Sequence, residues 1–115
     1  MSARHSSKAA AQAARSASLF AALGDTTRLR LVLRLCDNGP LSITKLTEGE
    51  KVTRQAVTKH LRVMEDAGLV RSTWHGRESV WQLELQRLKD ARLYLDLISE
   101  QWDEALDRLR AFVEE

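Results

Sequence analysis

Five polar side chains, Arg54, Gln55, Thr58, Lys59 and Arg62, fall within the stretch TRQAVTKHLRVMEDAGLV, residues 53–70. At about 100° per residue they share one face of a helix. Cations, an amide and a hydroxyl on one face suit recognition of a polyanion. Arg54 and Gln55 lie in the first turn, where guanidinium pairs with guanine and amide with adenine. Thr58 offers a hydroxyl to a base or a methyl to thymine. Lys59 and Arg62 are placed for phosphates, which add affinity but little sequence information. Thr53 caps the helix. Further along, Arg77 beside Gly76 is placed to enter a minor groove, with His75 near a phosphate. His60 lies between the polar face and the apolar stripe, so it suits a structural hydrogen bond as well as DNA.

Other chemistries lack their parts. The single cysteine, Cys36, and the three histidines, His5, His60 and His75, are scattered along the chain. They pair no nucleophile with a base and show no metal-ligand spacing, and no glycine-rich phosphate loop occurs. The sequence therefore points away from an enzyme, with no catalytic residue, metal ligand or cofactor expected. One cysteine excludes an intramolecular disulfide and fits a reducing cytoplasm. Cys36 itself is expected to be buried as a small hydrophobe near the end of an apolar helix.

Composition agrees with one ordinary globular domain. The chain has 115 residues, 43% hydrophobic and 30% charged, with net charge +2. No apolar run approaches the ~20 residues of a membrane span, so no membrane partner is expected. Charge is unevenly spread. Residues 51–83 carry six basic and three acidic side chains, and residues 84–115 carry five basic and nine acidic. A polyanion suits the first segment and not the second.

The elements that must hold these residues can be read from periodicity. Residues 1–7 form a short arm, followed by an Ala-rich helix from Lys8 to Leu23. Asp25 caps a second helix that Leu29, Leu31, Val32, Leu33 and Leu35 make apolar over much of its surface, and Asn38-Gly39-Pro40 ends it. Residues 42–67 give two helices across a tight turn. Ser42 caps the first, with Ile43 and Leu46 inward. Thr53 caps the second, held by Val57, Leu61 and Met64 and stopped at Gly68. A hairpin spans residues 69–85, turning at His75-Gly76, with Val70, Ser72 and Trp74 alternating and Trp81, Leu83 and Leu85 on one face. Residues 87–113 form a long helix. Its seam of Leu88, Ala91, Leu95, Ile98, Trp102, Ala105, Leu109 and Phe112 repeats at spacings of three and four. This order is a winged helix-turn-helix, mainly α with a β-hairpin wing.

The sequence resembles the ArsR/SmtB-type winged-helix repressors over nearly its whole length. FAALGDTTRLRLVLRL is similar to the family's opening signature, with Thr26 where proline is common. TRQAVTKHLRVMEDAGLV resembles its recognition helix, and HGRESVWQLE its wing. The resemblance implies a homodimeric repressor that binds double-stranded DNA, with the N- and C-terminal helices forming the dimer interface. Leu19, Leu95, Ile98, Trp102, Ala105, Leu109 and Phe112 are the expected interface residues. Twofold symmetry predicts an inverted-repeat operator. The departures concern control. Ser42 and Thr44 stand where metal-sensing members carry cysteines, and hydroxyls are poor ligands for soft metals. A second site of the family needs His in the last helix, which has none. An unidentified small-molecule inducer is left open as a partner. So is a protein-interaction module that uses the long helix as its docking surface.

Overall fold

The computed structural model describes the backbone of residues 2–114 and the side-chain surroundings of residues 10–114. The side chain of His5 lies outside the described residues. Eight elements follow in order: α1 (Ser2–Leu23), α2 (Thr26–Asn38), β1 (Leu41–Ser42), α3 (Ile43–Glu48), α4 (Arg54–Asp66), β2 (Val70–His75), β3 (Glu78–Leu83) and α5 (Leu85–Glu114). The strands form one antiparallel sheet in the order β1-β3-β2. Among the described residues no helix is long and apolar enough to cross a membrane.

Local chemistry sets the boundaries. The Asp25 carboxylate accepts from Arg28 N–H at 3.0 Å and starts α2. Ser42 Oγ accepts from Lys45 N–H at 3.2 Å and starts α3. Thr53 Oγ1 accepts from Ala56 N–H at 3.1 Å and starts α4. Each hydroxyl or carboxylate satisfies a backbone donor that has no partner within its helix. The hairpin turns at Gly76-Arg77 rather than His75-Gly76, because His75 still pairs with Glu78. Gly76 takes φ 65°, the left-handed conformation that two-residue hairpin turns demand.

The core lies where α1, α2, α3 and α4 meet the inner face of the sheet. Leu19, Leu31, Leu46, Val57, Leu61 and Met64 have essentially no exposed surface, and Trp81 closes the sheet side at 2%. Burial of each large apolar side chain contributes roughly 1.5–3 kcal/mol. The recognition-helix stripe of Val57, Leu61 and Met64 is therefore a substantial part of what fixes α4 in place.

Several sequence expectations need correction. The first helix starts at Ser2, so the arm expected over residues 1–7 is helical from Ser2 onward. Leu29 and Leu33 are exposed, because α2 buries only the face carrying Leu31, Val32 and Leu35. Cys36 is exposed, on the outer side of the same helix. Leu85 opens α5 instead of closing the hairpin, and it too is exposed. Leu19, expected at a dimer interface, is 0% exposed and belongs to the chain's own core. Along α5 most of the apolar seam is uncovered. Leu88 and Ala91 pack inward, whereas Leu95, Ile98, Trp102, Leu109 and Phe112 are exposed.

Candidate nucleic-acid interface

The turn before α4 is built around buried charge. Arg34, on α2, donates to the carbonyls of Leu46 and Lys45 at 2.6 and 2.7 Å, meeting the C-terminal end of α3. Gly49 leaves room for this approach, since a Cβ there would stand 2.5 Å from the guanidinium. Glu50 follows with its side chain 1% exposed, 2.9 Å from Arg30 and 4.0 Å from Arg34. A buried carboxylate is tolerable only with such cations at hand. The turn joining α3 to α4 is thereby tied to α2, and α4 starts from a fixed point.

From that point α4 keeps two faces. Val57, Leu61 and Met64 are buried, while Arg54, Gln55, Lys59 and Arg62 are exposed and Thr58 is half-buried. Thr58 Oγ1 donates to the Arg54 carbonyl at 2.9 Å. Its proton is engaged within the helix, which leaves the methyl group and the oxygen lone pairs for a ligand. Thr53 is exposed as the cap.

His60 divides from this set. It is half-buried, and its Nδ1 lies 3.3 Å from the Arg28 guanidinium and 3.8 Å from the Asp25 carboxylate. Arg28 also donates to the Ala22 carbonyl at 2.5 Å. These contacts fasten α4 to the α1–α2 junction, which is the structural role weighed for His60. The Arg28 backbone N–H holds the Asp25 carboxyl below its ordinary pKa of 3.8, with partial desolvation opposing and His60 assisting.

The wing stands beside α4. Ser72 Oγ donates to the Glu65 carboxylate at 3.0 Å, joining β2 to the recognition helix. Thr44 N–H donates to the Glu78 carboxylate at 3.3 Å, and its hydroxyl donates to the same oxygen, joining α3 to β3. His75, Gly76 and Arg77 are exposed at the hairpin end. Between α4 and the hairpin lies a cleft of about 300 Å³ lined by Ile43, Arg54, Thr58, Arg62, Ser72, Trp74, Ser79 and Trp81. The basic face and the wing thus form one continuous surface. Sequence reading missed Trp74 as a member of it, having placed it among the alternating residues of an ordinary strand. The available signal was a bulky indole only two residues before the turn, past the reach of a small core.

The hydroxyls at the family's cysteine positions have other duties here. Ser42 caps α3 and Thr44 holds Glu78. Among the described residues no three His, Cys, Asp or Glu side chains gather as a metal site would need. The donor set does not fit a soft metal.

A capped helix with a basic outer face, set behind a short helix and beside a hairpin, defines a winged helix-turn-helix DNA-binding protein. Comparison with known proteins agrees. A family model for a helix-turn-helix domain matches residues 23–73. The chain is 39% identical over 85 residues to the HTH-type transcriptional regulator Rv2034 of Mycobacterium tuberculosis, covering 74% of this chain and 76% of that one. It is 34% identical over 64 residues to the arsenical resistance operon repressor of Bacillus subtilis, covering 56% and 61%. Its fold superposes on an ArsR-like transcriptional regulator from Rhodococcus sp. RHA1 with TM-score 0.75 and 33% identity, over 86% and 92% of the two chains. The chain belongs to the ArsR-type winged helix-turn-helix transcriptional regulators.

Proposed function

We propose that the protein is a homodimeric repressor that works in the cytoplasm as one domain, residues 1–115, on an inverted-repeat operator. The carrying observation is the two-faced α4, anchored by Val57, Leu61 and Met64 while Arg54, Gln55, Lys59 and Arg62 stay exposed. In this reading the recognition helix, residues 53–67 of the helix-turn-helix at 42–67, enters the major groove. Thr53, Arg54, Gln55 and Thr58 meet base edges or nearby phosphates, and Lys59 and Arg62 neutralise phosphates. The hairpin within 69–85 brings His75, Gly76 and Arg77 to the adjacent minor groove. His60 supports the helix and lies near the DNA without reading it.

The uncovered seam of α5 supports the dimer. Leu95, Ile98, Trp102, Leu109 and Phe112, with half-buried Ala105, meet the same strip of a second copy. An aromatic side chain such as Trp102 suits the centre of such an interface. Twofold pairing would set two recognition helices about 34 Å apart, one DNA turn. Repression follows from analogy with the arsenical resistance operon repressor.

Selection of bound duplexes from a random library would yield the operator. Gel-shift titration on that operator should then show Arg54→Ala/Lys59→Ala binding at least ~100-fold more weakly, since each base or phosphate contact contributes about 1–3 kcal/mol. Selected sequences without inverted symmetry would defeat the dimeric reading. Unchanged binding by the double variant would defeat the recognition-helix reading.

A further inference from the structure

Strand β2 alternates in its surroundings. Val70, Ser72 and Trp74 share one face, opposite Leu83, Trp81 and Ser79 on β3. Val70 and Trp81 are buried at 2% each, and Ser72 reaches Glu65 on α4. Trp74 is 75% exposed. The inner face of the hairpin therefore outruns the core, and its last large side chain stands mostly uncovered.

The indole nevertheless has neighbours. It lines the cleft with Arg54, Thr58 and Arg62, and no acidic side chain lines it. One wall is cationic, another is an aromatic surface, and the Ser72 and Ser79 side chains also line it. That mixture matches a strand of DNA backbone, which offers anionic oxygens and the apolar C–H face of deoxyribose in alternation. Position leads to the same occupant. The major and minor grooves of a duplex adjoin across one sugar–phosphate ridge. A domain with a helix in one groove and a hairpin tip in the next lays whatever lies between them on that ridge. Trp74 lies between α4 and the Gly76-Arg77 turn.

We propose that Trp74 is a DNA-contacting residue, its indole packed on the sugar–phosphate ridge between the recognition helix and the wing tip. The inference rests on the DNA-binding reading above. The contact is uncharged and faces no base edge, so it adds affinity without sequence preference and without releasing counterions.

The experiment compares wild type, Trp74→Ala and Trp74→Phe by anisotropy titration on the selected operator and on an unrelated duplex, across a salt series. Trp74→Ala should weaken both by a similar factor, about tenfold, on the scale of other aromatic contacts with nucleic acid. The slope of log affinity against log salt should stay at its wild-type value. Trp74→Phe should recover most of the loss. Thermal melting and sedimentation should match wild type, because the side chain is exposed. A parallel acrylamide-quenching measurement should show DNA shielding a tryptophan in wild type, with that shielding absent in Trp74→Phe. Affinity of Trp74→Ala within twofold of wild type, while Arg54→Ala/Lys59→Ala fails to bind, overturns the role of Trp74 alone. Normal binding by the double variant overturns the recognition-helix reading, and this proposal with it. A variant that loses its subunit association overturns the proposal by making Trp74 a protein contact.

Discussion

The reading head and the outer half of α5 treat apolar surface in opposite ways. In α4 every large residue of the stripe is buried in its own chain, and the outward face is polar apart from Val63. In α5 Trp102 is 65% and Phe112 77% exposed, with Leu95, Ile98 and Leu109 beside them along one seam. The first region is complete as a monomer. The second has an apolar strip of a kind that marks an association surface. The packing that holds α4 and the exposed strip of α5 are therefore separate surfaces, and a substitution in one should leave the structure of the other intact.

The largest effect should come from the unfinished half. Ile98→Asp combined with Leu109→Asp should turn the protein monomeric by sedimentation and lower operator affinity ~100-fold or more. Linking two half-site contacts is worth that much in avidity. A double variant that stays dimeric would break the comparison. Next comes the finished half. Leu61→Ala should cost about 2–5 kcal/mol in urea unfolding, the range for emptying a full core site. It should leave the exposed α5 seam untouched.

Smaller effects sharpen the comparison. Gly49→Ala pushes a methyl into the Arg34 guanidinium. It should cost roughly 1–3 kcal/mol by chemical denaturation, the scale of a charged hydrogen bond left unmade. It should also weaken DNA binding through the start of α4, with no change in oligomeric state. The smallest effect concerns acid. The folded state lowers the Asp25 pKa below 3.8. The carboxylate therefore stabilises the fold above that value, and its contribution fades as pH drops from 3.8 through the lower folded pKa. Asp25→Asn keeps an acceptor for Arg28 N–H but cannot titrate. Its acid-unfolding curve should be flatter in that window, and its stability at neutral pH slightly below that of wild type.

What the sequence made legible was whatever local pattern dictates. Asp25, Ser42 and Thr53 announce their helices because a capping oxygen acts within three residues of itself. Val57, Leu61 and Met64 announce the inner face of α4 because helical periodicity is local too. The two-residue strand β1 was missed, since its pairing with Trp81 and Val80 depends on a partner far along the chain. Burial of Glu50 was illegible for the same reason, being decided by Arg30 and Arg34 on another helix. Leu19 was misassigned because nothing in an apolar helix end tells a core from an interface. Cys36 was misjudged because one helical step separates it from buried Leu35. Exposure of Arg54, Gln55, Lys59 and Arg62 was legible from helical periodicity, whereas that of Trp74 required knowing where the core stops.

One side chain at the base of α5 links the two halves. Arg87 donates to the Ala67 carbonyl, just past the end of α4, at 3.0 Å. It also donates to the Arg15 carbonyl of α1 at 2.6 Å, and lies 3.7 Å from Asp90 within α5. Two of these partners are backbone carbonyls, which remain available whatever side chains replace their neighbours. The guanidinium therefore acts as a pivot pin common to three helices. The position of α5 is thereby fixed to the far end of α4 and to α1 at one point, so the seam and the exposed basic face share a common anchor.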